Sequence, residues 1–204
     1  MKNVTLPPAQ EAVYSQLFTE NPLRKIQFDQ AYSLVQQHRV LQMNGGMEHE
    51  DILEALSQVE AEVGRQGYSK KVRKRIFMAA CELMLSREMG LFDPIAFALA
   101  FTADAAYIFV QMPVETGEKQ FEWLSNLQQL DDLLGGLNSM SDKELKHLKL
   151  RLLNNPYDEG TYHQNIFNWL DVARRCEVPL LYDFQLETPA ACYASIIARV
   201  PVNQ

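Results

Sequence analysis

Five cations fall within six residues, Lys70, Lys71, Arg73, Lys74 and Arg75, directly behind Ser69. With Ser69 as N-cap they occupy the first turns of a helix, where the macrodipole is positive and each cation costs a few tenths of a kcal/mol. Contacts outside the helix must therefore explain them. One candidate is internal: residues 47–66 hold Glu48, Glu50, Asp51, Glu54, Glu60 and Glu62 against Arg65, and neutralising that segment is the plainer account. The other is a docking patch for an anionic partner, either an acidic protein surface or a phosphate backbone. A formal net charge of −7 weighs against nucleic acid.

Asp104 is the second candidate. It lies in the apolar run IAFALAFTADAAYIFVQM, where burial would raise its pKa unless a cation or hydrogen-bond donors hold the charged form. Tyr107, three residues on, shares its face if the run is helical. Together they form a candidate buried polar site, and a carboxyl in an apolar surround is also what a general acid looks like. No histidine or second carboxylate stands near it in sequence, so a structural hydrogen bond is favoured over catalysis.

Other constellations are weaker. Glu144 and His147 make one E-x-x-H, the half-site that di-iron bundles use twice, but Glu144 is also accounted for by a capping box in Ser141-Asp-Lys-Glu144. Asp131 and Asp132 stand with no further acid behind them, as a solvated surface pair would. Phosphate-binding, dinucleotide, zinc-protease and nucleophile-elbow motifs do not occur. No metal and no cofactor are expected. Cys81, Cys176 and Cys192 are odd in number and far apart, which suits buried thiols in a reducing compartment better than a disulfide framework.

The elements that would position these groups read as helices. Asp93 followed by Pro94 has the form of an N-cap and first helical residue, and Pro113 is a stop. Between them nearly every residue is apolar, as expected of a helix surrounded on most sides. This segment, residues 94–111, is therefore the expected central helix. It is shorter than a bilayer span and contains Thr102 and Asp104, so a buried helix is preferred to membrane insertion. Around it, periodic stripes give helices over residues 8–18, 23–43 and 48–63, a basic helix from Ser69, an amphipathic helix ended by Gly135 and Gly136, the capping-box helix, and a helix to Cys176. The run from Leu180 to Leu186 has the period of a strand. The tail after Pro189 is read as a helix, with a short β-hairpin near the C-terminus as the alternative.

The expectation is a mainly α, single-domain multi-helix bundle spanning residues 1–204. The 204 residues are 47% hydrophobic, enough for a real core. No charged start followed by an apolar stretch precedes Thr5, so a cytoplasmic location is expected. Leu91, Phe92, Met112, Val114, Leu137, Met140, Leu180 and Leu181 lie at segment ends, where they either cap the bundle or form a patch for a partner. Segregated charge without a catalytic signature points to a non-enzymatic interaction protein, in the manner of an adaptor, a chaperone for exported substrates or an immunity-type inhibitor. A helical enzyme or ligand binder with Asp104 in an internal pocket is the competing expectation, and nucleic-acid binding through residues 70–75 the third.

Overall fold

In the computed structural model, residues 8–18, 22–85, 91, 93–114, 122–154, 162–176, 179–188 and 191–203 are described. The apolar run at their centre is not a helix. It forms two strands, β2 (Ala96–Phe101) and β3 (Ala105–Pro113), which with β1 (Arg39–Asn44), β4 (Leu181–Thr188) and β5 (Ala191–Pro201) make a five-stranded antiparallel sheet of order β1-β2-β3-β5-β4. The expected mainly α bundle around a central helix at residues 94–111 is thereby overturned in favour of a mixed α/β architecture. The tail read as a helix is β5, an interior strand of the sheet paired on both sides.

The physical reason lies in burial on both faces. Along β2 and β3, Phe97, Leu99, Ala106, Ile108 and Val110 point into one core, while Ala98, Ala100, Ala105, Tyr107 and Phe109 point into the other. A strand covered on both faces loses the apolar–polar alternation that marks a half-exposed one and reads as a continuous apolar run. The hairpin turn is built by the polar residues that had seemed to interrupt a helix. The Thr102 backbone N–H donates to the Ala105 carbonyl at 2.9 Å, the Thr102 hydroxyl donates to Asp104 at 2.7 Å, and the Ala105 N–H donates back to Thr102 Oγ1 at 3.2 Å.

Helices cover the two faces unequally. On one side α2 (Pro22–His38) is the one helix among the described residues, burying Phe28, Ala31 and Val35 on the smaller core. On the other side α1 (Pro8–Phe18), α3 (His49–Arg65), α4 (Lys70–Met84), α5 (Glu122–Ser139), α6 (Asp142–Asn154) and α7 (Tyr162–Cys176) contribute to the larger core. The second helix ends at His38 and not near Met43, because the residues after it alternate exposed Val40 and Gln42 with half-buried Leu41 and Met43 as edge strand β1. Gly135 and Gly136 do not end α5. The helix continues through them because Leu134 and Leu137 are both buried, and the Asn138 side chain then donates to the Leu180 carbonyl and accepts from its N–H, each at 2.8 Å.

The start of α2 is pinned to the far edge of the sheet. Arg24 pairs with Asp131 of α5 and places its guanidinium 4.9 Å from the Tyr182 ring centre and 5.3 Å from that of Phe184. Lys25 donates to Asp183, which is buried on β4, at 2.9 Å. Asp131 also accepts the Tyr182 hydroxyl at 3.0 Å, so it is a structural anchor and not a solvated surface acid. Most apolar segment ends cap the core: Leu91, Met112, Val114, Leu137 and Leu180 are buried, whereas Met140 is exposed and Phe92 lies outside the described residues.

Candidate functional site

The buried stripe of α4, Val72, Ile76, Ala79, Ala80 and Leu83, fixes the rotation of the basic helix. Lys71, Lys74 and Arg75, three and four residues apart, consequently share one side, and they line an open cleft of about 880 Å³. Lys70 and Arg73 are exposed but are not part of that lining. The expected cluster of five is thus divided. The Ser69 hydroxyl caps the helix, accepting the Val72 N–H at 3.3 Å.

The opposite wall comes from α6 and α7. α7 buries Trp169, Leu170, Val172, Ala173 and Cys176, which leaves Asp171, Arg174 and Arg175 half-buried at the side. α6 turns Leu145 and Leu152 inward and brings Lys146 and Lys149 to the cleft. Lys71, Lys74, Arg75, Lys146, Lys149, Arg174 and Arg175 therefore converge against two acids of the described lining, Asp142 and Asp171. The floor near Leu137, Asn138 and Met140 is the end of α5.

Asp171 is shared among three of these cations. Lys149 Nζ approaches both of its oxygens, one of them at 2.7 Å, with Arg174 at 3.5 Å and Arg175 at 3.9 Å. Arg175 reaches Glu82 of α4 at 3.8 Å, linking the two walls. Burial pushes the Glu82 carboxyl above its usual pKa, and the Asp171 carboxylate adds to this. By contrast, Lys70, Lys71, Arg73 and Lys74 have no acidic group within 4.0 Å among the described residues. In particular, no such pair joins these four to the acidic helix α3.

Chemically, the cleft concentrates positive charge in a chain that is acidic as a whole. Its described lining has no histidine, cysteine, serine or aromatic residue. What it offers is a field and a set of donors for anionic groups, flanked by the apolar Leu137, Met140, Leu145 and Pro179.

The second expected site is corrected. Asp104 is not buried: its side chain is 58% exposed, at the tip of the β2–β3 hairpin, where the Thr102 hydroxyl and the Arg199 guanidinium hold its pKa below the ordinary value. Tyr107 is buried under α2 and meets Arg199, its register partner on β5. The strand geometry puts Asp104 in the turn and Tyr107 under α2, so Asp104 lies at the surface and not in the expected internal pocket. Ser141 and Glu144 form their capping box, with the Ser141 N–H donating to Glu144 at 2.7 Å. The four cations of α6 and α7 were not singled out from sequence. Their signals were present, in lysines spaced by three along α6 and an Arg-Arg pair in the last turn of α7.

No helix among the described residues is long and apolar enough to cross a membrane. No family model matches the chain, and no curated protein matches it in sequence. Among solved structures it is similar to a chain in the crystal structure of the SiaB–SiaC complex from Pseudomonas aeruginosa, with a TM-score of 0.64 and 16% identity over 89% of this chain and 99% of that one. At that identity the likeness is one of fold.

Proposed function

We propose that the chain is an interaction protein that docks an acidic protein surface in the cleft between α4, α6 and α7, in the manner of an adaptor, a chaperone or an immunity-type inhibitor. The observation that carries this reading is the convergence of seven cations from three helices in a chain of net charge −7. Structural neutrality alone would pair them locally. Instead Lys71 and Lys74 stand exposed, at the helix end where positive charge is disfavoured. The likeness in fold to a chain crystallised in a complex of two proteins is compatible with such a role.

The test is affinity capture from the native cell with paired charge reversals. Lys71→Glu with Lys74→Glu should release the captured partner, weakening its affinity by about tenfold or more, since close interfacial charge pairs are worth upwards of about 1.5 kcal/mol. Lys70→Glu with Arg73→Glu, outside the lining, should change it by less than about threefold on the same scale. Equal losses from both pairs would argue for a diffuse field and against this cleft. A partner that proves to be nucleic acid, with binding that falls steeply as salt rises, would move the reading to the phosphate backbone.

A further inference from the structure

Next to the cleft, α6 carries an apolar step outside the lining. Along α6, Leu145 and Leu152 are buried and Leu148 half-buried, which sets the helix rotation. Lys146, Lys149 and Leu153, three, four and seven residues apart, then lie on one face, and Leu150 adjoins them. Leu150 and Leu153 are 57% and 56% exposed. They follow the two lysines by one turn, within about 11 Å along the axis at 1.5 Å per residue. Both leucines lie outside the lining of the cleft, whereas Met140, just before α6, is part of it and is 36% exposed.

We infer that the occupant of the cleft is an acidic amphipathic helix, with carboxylates set against Lys71 and Lys74, which unlike Lys146 have no acid beside them among the described residues, and an adjacent apolar ridge set against Leu150 and Leu153. The inference rests on the docking reading above and adds the chemistry of the partner. Charge complementarity requires the acids. The exposed leucines beside the lysines of α6 offer apolar contact next to charge, which a helix with acids on one face and apolar anchors on the next would satisfy together. A single-stranded nucleic acid fits less well, because bases bind by stacking on aromatic side chains and the described lining has none.

The test uses the full chain and a labelled peptide of about 18 residues, five helical turns, with glutamates on one face and leucines on the next. Controls are the same peptide with serine for every leucine and a single-stranded DNA of equal length. The leucine peptide should bind about tenfold tighter than the serine peptide. Leu150→Ser with Leu153→Ser should erase that difference while leaving the serine peptide unaffected, with an unchanged thermal melt as the control for folding. Lys71→Glu with Lys74→Glu should abolish binding of both peptides. Equal binding of the two peptides would overturn the inference and leave acidic docking standing. Binding of neither would remove docking as well, and tighter binding of the DNA would overturn both. Sedimentation of the chain alone supplies the last arm: a dimer dissolved by the leucine variants would make the occupant a second copy, presenting its own acidic helix α3, and would overturn a foreign segment.

Discussion

At the scale of single residues, the cleft is shaped by acids that compete with any incoming anion. Asp171 holds Lys149, with Arg174 and Arg175 nearby, so it occupies the donors that a partner carboxylate would use. Asp171→Asn should therefore tighten binding of an acidic peptide by a few fold while lowering stability by about 1–3 kcal/mol, the cost of leaving charged donors poorly satisfied. Titration calorimetry and urea melts read the two effects separately, and a variant that binds more weakly would contradict the assignment. Glu82 supplies a pH signature. Its pKa is raised in the folded chain above the ordinary 4.5, so the folded state keeps its proton to higher pH than the unfolded state does. The stability it contributes is present at low pH and is lost as pH rises from 4.5 through the folded pKa. Glu82→Gln, neutral throughout, should match the native chain at low pH and become the more stable of the two as pH rises over that interval, and a native chain that gains on the variant with pH would contradict the burial of Glu82.

At the scale of elements, the two-sided burial of β3 makes its own prediction. Ile108 faces the larger core and Phe109 the smaller, so Ile108→Asn and Phe109→Asn should each cost about 3 kcal/mol or more in denaturant melts. A half-exposed strand would tolerate one of the two. The same feature governed what could be read from the sequence. α3 and α4 were legible because each buries one stripe, Ile52 to Val63 and Val72 to Leu83, which leaves a helical period in the pattern. β2 and β3 were not, because covering both faces removes the period of two, and Asp93-Pro94 happened to resemble a helix start. In the structure Pro94 precedes a strand and its carbonyl accepts the Met47 N–H at 3.1 Å. Thr102 to Asp104 was the available turn signal within an otherwise apolar segment. For the cleft, Lys71, Lys74 and Arg75 were visible as a local cluster. Lys146, Lys149, Arg174 and Arg175 join them only through the packing of α6 on α7 and α7 on α4, about which the spacing of residues along the chain says nothing.

At the scale of the whole molecule, a basic cleft in an acidic chain separates attraction from repulsion. An anionic partner is repelled by the net charge of −7 and drawn in by the local field, so orientation should govern its arrival. Association with an acidic peptide should slow as salt is raised from 0.05 to 0.5 M, values of the order at which the Debye length falls below about 10 Å, and stopped-flow rates would show it. Dissociation should change far less, and a salt effect confined to the off-rate would argue against steering. The unequal covering of the sheet has a further consequence. Among the described residues, six helices contribute to the large core on one face, and α2 covers the other, fastened at its first turn by Arg24 and Lys25. A lid with one hinge pin can lift without melting what lies beneath, so amide hydrogens of α2 should exchange with solvent through a partial opening of lower free energy than the global unfolding that exposes those of α4. Cutting the pin with Arg24→Ala should accelerate exchange in α2 first.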